Sequence, residues 1–445
     1  MRRNPPRFLD APQTLPPNLS FVLSLSPSAM TLGLGNMRQL LAALDHPERQ
    51  FRSVLVAGTN GKGSVTAYLS AILKRCGMRI GWYSSPHVYH VTERIRVDGS
   101  SITLDQMETA AARIVPLHES IGYSYFEALT AIAFIVFADL GVELAVLETG
   151  LGGRFDATNV VEPEVCVLTH VGLDHRRILG DTLEEILREK LGISRPEIPL
   201  LVGPLAPGLM DMVAEKARHD RIPLQRSDDL GTIELAGLSF SGMQARIRTR
   251  HRDYGTVRLP FAGEHQLANA LLAVGAAERI VGAINDLDSV ADDTDMPGRF
   301  EVWELHGKRV ILDVAHNDDG LIAAARTLGA LSPVERNAMI LGVLNRKELI
   351  DFPRVVSQWV GRLFLVQPVS GEWLAAPSML ERIGLGNVGD GGLEVVLQSC
   401  FETDADWKRF LDRVLHETLP YDALLVTGSH RTVELFGRRF LARAK

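Results

Sequence analysis

The sequence predicts an α/β protein built on a doubly wound parallel sheet, followed by a second α/β domain. Three observations carry this expectation. Short continuous apolar runs alternate with helical patterns, a glycine-rich loop joins the first such run to a helix, and the alternation resumes after an acidic stretch closed by Pro297-Gly298. A chain of 445 residues is too long for one ordinary hydrophobic core, so two domains are expected.

Residues 53–58, 79–85, 144–150 and 165–171 have the unbroken apolar character of strands buried on both faces. Between them, 64–75 and 127–138 carry apolar residues at helical spacing, and 182–191 reads as a helix capped by Thr182 with Glu185 three residues on. The segment 224–262 changes to shorter alternating runs separated by Asp, Gly and Ser, which predicts a small antiparallel sheet. A helix over 266–281 and an acidic interdomain linker over 285–297 follow. The boundary is placed at 297, giving domains 1–297 and 298–445. Beyond it, 309–315, 338–344, 362–369 and 422–428 again read as buried strands.

A net charge of −7 argues against broad nucleic-acid binding and leaves room only for a local basic cleft. Cys76, Cys166 and Cys400 form neither a disulfide framework nor a metal spacing, which fits a reducing cytoplasm. The most apolar stretch, 128–138, is broken by Asp139 and Glu143, too short for the roughly 20 residues that span a bilayer. Residues 1–17 read as a loose arm without the apolar core of an export signal. A cytoplasmic monomer is expected.

The segment Gly58-Thr59-Asn60-Gly61-Lys62-Gly63-Ser64 sits between an apolar strand and a helix, the context a phosphate-binding loop requires. Glycines let backbone N–H groups turn toward phosphate oxygens, the helix N-terminus adds about half a positive charge, and Lys62 neutralises the terminal phosphates. Ser64 is placed to reach a magnesium ion. Gly63, between Lys62 and the hydroxyl residue, departs from the common GxxxxGK[ST] form.

GTNGKGS is the form of the Mur ligase superfamily, and within it the chain resembles the folylpolyglutamate synthase/dihydrofolate synthase family. The supporting blocks run nearly end to end: Ser84-Ser85-Pro86-His87 with Glu93-Arg94-Ile95; Tyr125-Phe126-Glu127; Glu148 through Asn159; Asp174-His175; Glu189-Lys190; His265-Gln266 with Asn269-Ala270; Pro297-Gly298-Arg299; Asp313 through Asn317; and Gly428-Ser429. The resemblance implies a P-loop Mur-ligase-type domain with its small sheet and a Rossmann-like C-terminal domain. It also implies ATP-dependent addition of L-glutamate to dihydropteroate and to reduced folates through an acyl phosphate.

The same resemblance assigns roles residue by residue. Ser64, Ser85, Glu148 and His175 become ligands of Mg²⁺, expected as two ions, and whether a monovalent cation assists stays open. Lys62 and the rest of the glycine loop, Asn269, Arg299 and Asp313 become nucleotide contacts. Lys190, in a block where relatives carry a carbamylated lysine, becomes an anionic oxygen ligand; on its own it reads as a helix-surface lysine. His316 becomes a stabiliser of the intermediate, against the plainer reading of a strand-end hydrogen bonder. Ala29, Met30, Thr31, Ser124, Tyr125, Phe126, Glu127, Phe155, Asp156 and Ala157 match dihydropteroate-binding positions of bifunctional members, although Tyr125 and Phe126 also suit plain core packing.

Thr31 stands where some bifunctional relatives have Asp, Phe155, Leu191 and Asp318 replace Leu, Ala and Pro, and Asn345-Arg346-Lys347-Glu348 stands where many relatives have a DKD-like stretch. The rival readings are a monofunctional folylpolyglutamate synthase, a Mur-type ligase for another carboxylate, and an idle nucleotide-binding regulator. The last predicts loss of Lys62, Glu148 or His175, and all three are present.

Overall fold

The computed structural model describes residues 15–26, 33–345, 347, 349–369, 372–382, 393–398, 401, 403–416 and 419–444. The first sheet holds β1 (Arg52–Ala57), β2 (Ile80–Tyr83), β3 (Ile95–Val97), β4 (Ser100–Ser101), β5 (Leu144–Glu148), β6 (Val165–Leu168), β7 (Leu200–Val202) and β8 (Leu224–Arg226). Their order is β4-β3-β2-β5-β1-β6-β7-β8, parallel from β2 through β8 with β3 and β4 as an antiparallel edge.

The strand period of two explains the two cores on this sheet. Along β1, Leu55 and Ala57 join the core of the helix Tyr125–Asp139, while Val54 and Val56 face the opposite core with the helices Lys62–Arg75 and His265–Val281. Both faces are covered, so each strand reads as a continuous apolar run. The strands end sooner than the apolar runs do: β6 stops at Leu168, and beyond it Thr169 keeps an amide bond to the Ala57 carbonyl while its hydroxyl and the His170 carbonyl bond the glycine loop.

The small sheet comprises β9 (Gly231–Ser239), β10 (Gly242–Thr249) and β11 (Asp253–Leu259), antiparallel in the order β11-β10-β9. It begins later than the expected 224. Leu224–Arg226 instead follows the helix Pro207–His219 and returns parallel to β7, which makes it the last strand of the main sheet.

The C-terminal sheet holds β12 (Glu301–Leu305), β13 (Lys308–Leu312), β14 (Asn337–Leu341), β15 (Arg362–Val366), β16 (Glu394–Gln398) and β17 (Ala423–Thr427), ordered β12-β13-β17-β14-β15-β16. Only β12 runs antiparallel to its neighbour. Val88 and Tyr89 of the first domain pack into one core of this sheet beside Trp303, Leu312 and Phe436. Arg438 donates to the Tyr89 carbonyl, and a Cβ on Gly437 would lie 2.4 Å from Tyr89 Oη, so the close approach of the C-terminal helix requires glycine there.

The acidic stretch 285–297 is not a free linker. Asp288 and Asp292 accept from Arg258, Asp293 accepts from Lys74 at 3.1 Å and from Arg75, and Val290–Asp293 is a short helix. Its carboxylates fasten it to the first domain. The arm expected over 1–17 also ends early, since Pro17 opens the helix Pro17–Ser24; residues 1–14 lie outside the described residues.

Candidate active site

Crowding at its glycines shapes the phosphate loop. Gly58 lies so close to the strand end that a Cβ there would fall 1.9 Å from Thr169 Oγ1, and Gly61 has a φ of +87°, in the left-handed region that favours glycine. Thr169 Oγ1 donates to the Asn60 carbonyl at 2.6 Å, and Thr59 Oγ1 bridges both the N–H and the C=O of Gly172. These bonds fix the loop before any phosphate arrives. Lys62 opens the helix Lys62–Arg75 and folds back, its Nζ donating to the carbonyls of Gly58 at 3.1 Å and Thr59 at 3.2 Å. Ser64 is buried in the first turn.

Three cations converge on Glu148, the last residue of β5. Its carboxylate is 2% exposed, 4.0 Å from Lys62 Nζ, and accepts a long 3.4 Å bond from the Ser85 amide. Burial raises its affinity for a proton, and the charges of Lys62, Arg299 and Arg94 oppose that rise. A buried carboxylate with only such loose contacts suits a divalent cation. Among the described residues no group of three His, Cys, Asp or Glu side chains is arranged to hold a metal ion by itself. His175 itself adopts the left-handed conformation, with φ of +51°, and burial pushes its imidazole down to about 4 despite Asp174. It is therefore neutral near neutral pH, the form that ligates a metal.

Lys190 is buried, not a helix-surface lysine. It ends the helix Leu183–Lys190, and its Nζ donates to the Gly58 carbonyl at 2.8 Å, behind the phosphate loop. Burial, with Lys62 nearby, pulls its amine down to about 7. The loop 149–156 places this helix end: Asp156 accepts from the amides of Gly150, Leu151 and Thr158 and from the Thr158 hydroxyl, and Arg154 N donates to the Glu189 carbonyl at 2.8 Å. A Cβ on Gly153 would lie 2.7 Å from the Lys190 carbonyl. Gly153→Ala is accordingly expected to displace Lys190 and to lower turnover at least tenfold with a modest fall in melting temperature, by about 1–3 kcal/mol of overpacking strain. A steady-state assay beside a thermal melt would check it, and an unchanged turnover would refute it.

The second domain approaches across the loop. Arg299 brings a guanidinium nitrogen to 3.3 Å from where a Gly63 Cβ would be, and Asn269 lies against Gly61 in the same way. Asp313 accepts from the amides of Phe300 at 2.9 Å and Ala315 at 2.9 Å, which bends the chain between Arg299 and β13. Asn60 and Asn317 exchange amide bonds of 3.1 Å in both directions. His316 places Nδ1 2.9 Å from the Val314 carbonyl and Nε2 3.2 Å from Asp174 Oδ2.

On the acceptor side, Tyr125 and Phe126 begin the helix Tyr125–Asp139 and are both partly exposed, with Phe126 against Tyr83 at 6.0 Å between ring centres. Ser124 and Glu127 cap that helix, the Glu127 carboxylate accepting from Ser124 N and Oγ. Ala157 is buried, and Phe155 is 47% exposed beneath Arg154. Ala29, Met30 and Thr31 lie outside the described residues. Asp156 and Glu127 thus spend their carboxylates on backbone amides and hydroxyls of their own segments.

Arg94 is the residue that motif reading passed over as a site group. It is 6% exposed, donates from Nε to His87 Nδ1 at 2.9 Å, and lies 5.7 Å above the Tyr125 ring. Among the described residues no carboxylate lies within ion-pair distance of it, although its charge acts on Glu148, and it is a buried cation beside the Tyr125 ring. The sequence signal was an arginine between Val91 and Ile95, both buried.

The Mur ligase middle domain matches residues 56–277, and the Mur ligase glutamate ligase domain matches residues 298–430. The dihydrofolate synthase/folylpolyglutamate synthase of Bacillus subtilis (strain 168) is 36% identical over 328 residues, covering 71% of this chain and 76% of that one. The structure of E. coli FolC in complex with DHPP and ADP superposes with a TM-score of 0.81 at 29% identity, covering 98% of this chain and 100% of the other. That of the bifunctional folylpolyglutamate synthase/dihydrofolate synthase from Yersinia pestis CO92, complexed with AMPPNP and Mn ion, gives 0.78 at 27% identity over 96% and 98%. With the phosphate loop, the buried Glu148 and the facing Arg299 in one cleft, these likenesses have one reading: the chain belongs to the dihydrofolate synthase/folylpolyglutamate synthase family of Mur-type ligases.

Proposed function

We propose that this chain is an ATP-dependent ligase that joins L-glutamate to dihydropteroate, forming dihydrofolate, and to reduced folates. The observation that carries the reading is the cation set gathered on one cleft wall, with Lys62, Arg94 and Arg299 around Glu148 and an aromatic wall at Tyr125 and Phe126 beyond. An attacking carboxylate and a triphosphate repel each other, and a site that assembles fixed cations removes most of that cost.

The glycine loop and Lys62 hold the β- and γ-phosphates, and Asn269 and Asp313 contact the nucleotide. Arg94 holds the acceptor carboxylate in line with the γ-phosphate while Tyr125, Phe126 and Phe155 flank the flat pterin and benzoyl rings. Magnesium, expected as two ions, would be held by Ser64, Ser85, Glu148 and His175 and would neutralise phosphate charge. The acceptor oxygen takes the γ-phosphoryl group and ADP departs. The amine of L-glutamate then attacks the acyl carbon, phosphate leaves, and an amide remains. Arg299 and His316, contributed by the second domain, stabilise phosphate and intermediate, and docking of the two domains excludes water from the acyl phosphate.

Lys190 supports carbamate formation in this reading. An amine lowered to about 7 is substantially neutral at physiological pH, and the neutral amine adds CO₂ to give the N-carboxylate with release of one proton. A peptide mass lacking the added CO₂ in fresh bicarbonate-containing samples, with full activity of Lys190→Ala, would refute it. Among the described residues no helix is long and apolar enough to cross a membrane, and we take the enzyme to act as a cytoplasmic monomer.

The assignment is tested by incubating the chain with ATP, Mg²⁺, L-glutamate and either dihydropteroate or tetrahydrofolate and measuring product mass. A glutamyl adduct is expected with both acceptors; none with either overturns the proposal, and one with tetrahydrofolate alone makes the enzyme monofunctional. Arg94→Leu is expected to raise KM for the acceptor about 10²-fold while leaving KM for ATP within a few-fold, since a charged hydrogen bond is worth roughly 1.5–3 kcal/mol. Equal effects on both constants would remove Arg94 from the acceptor site.

A further inference from the structure

Asp174 is one carboxylate that receives three donors from the opposite domain. His316 Nε2 and Asn317 Nδ2 each lie 3.2 Å from its Oδ2, and Lys347 Nζ bonds Oδ1. Oδ1 also accepts from the amide of His175 at 2.8 Å. The side chains of Asp174 and Lys347 are 8% and 11% exposed, so this ion pair is sheltered rather than a solvent-washed contact. With both oxygens so occupied, Asp174 is not a metal ligand.

Its position in the chain links three parts of the site. Two residues upstream, Gly172 is bonded through both backbone groups to Thr59 of the phosphate loop, and one residue downstream is His175. Asn317, bonded to Asp174, also exchanges amides with Asn60 and caps the helix Asp318–Leu331 by accepting from Gly320 N at 3.0 Å. We infer that Asp174 is the positioning residue that seats the C-terminal domain on the phosphate loop, through its contacts with Lys347, His316 and Asn317. Elsewhere the domains meet largely through apolar packing, at Val88 and Tyr89 and at Leu238, Phe240 and Ala262, which holds them together without setting register over the phosphates. Asp174 supplies that register, and its loss separates nucleotide binding from turnover. The kinetic part rests on the ligase reading; the structural part does not.

The test uses the full chain as Asp174→Asn, Lys347→Met and the double variant. Affinity for Mg-AMPPNP by calorimetry is expected to stay within threefold of the parent. Turnover falls about 10²-fold, the scale of a misplaced reacting group, and the double variant is no slower than the slower single. Asp174→Glu, which keeps the charge, recovers part of the loss. Small-angle scattering with Mg-AMPPNP bound shows a larger radius of gyration for the two single variants than for the parent. Parental turnover, additive losses, nucleotide affinity lost in proportion to turnover, or parental scattering would each overturn the inference. Lys347→Met lies across the cleft from the His175 segment and decides the matter if Asp174→Asn fails to fold. If no acceptor is glutamylated, scattering and nucleotide affinity still decide it.

Discussion

Lys62→Ala is expected to lower kcat/KM for ATP by about 10³-fold, the scale seen when one preorganised charge is removed from a phosphoryl-transfer site. Lys62 neutralises phosphate, and its ammonium also occupies a compact cradle formed by the carbonyls of Gly58 and Thr59. A guanidinium is planar and larger than that cradle, so Lys62→Arg is expected to rescue little. The substitution also leaves the buried Glu148 carboxylate without the charge now 4.0 Å away, which should cost stability as well as rate. ADP release measured with acceptor and glutamate saturating would settle the point; a loss under tenfold would mean that the glycine amides and Arg299 suffice.

Lys190→Met should change the pH dependence of stability. The Lys190 amine sits at about 7 in the fold against an ordinary 10.5, so between those values the unfolded chain binds more protons than the native one. Stability of the parent therefore rises with pH through that window, and below about pH 7 the protonated, buried amine costs on the order of 5 kcal/mol. Met fills the same volume without the charge. In CO₂-free buffer the variant should melt above the parent near pH 6–7, with the advantage shrinking toward pH 10, while its turnover is largely lost. A pH-independent difference in melting temperature would show that Lys190 is not a desolvated amine.

Much of this arrangement was legible in the chain because it follows from local rules. Both buried sheets announced themselves as apolar runs, and the Thr182–Glu185 pair marked the start of the helix that ends at Lys190. Local rules also explain the misreadings. Leu224–Arg226 looked like the first strand of the small sheet because a three-residue edge strand carries almost no pattern, and only its pairing with β7 assigns it. The acidic run 285–297 looked like a linker because sequence does not show that Arg258, Lys74 and Arg75 wait for it. Pattern alone reads Lys190 as a surface residue, and only the resemblance placed it in the site, because its burial depends on Gly153 and Gly58, far away in sequence. Arg94 and Asp174 were quoted as parts of motifs, but their roles come from Tyr125, His316 and Lys347, residues that only the tertiary fold brings near.

The insertion of Val88 and Tyr89 means that the point where the chain passes from one domain to the next is not the point where the hydrophobic interior divides. Cutting the backbone at 297 would give one piece carrying an exposed aromatic peg and another with a vacant apolar socket lined by Trp303, Leu312 and Phe436. Neither half should be well behaved when produced alone, whereas the two expressed together should reassociate through peg and socket. Gene fusions, truncations or domain exchanges within this family would therefore need to transfer residues 88–89 with the C-terminal half to keep its interior filled.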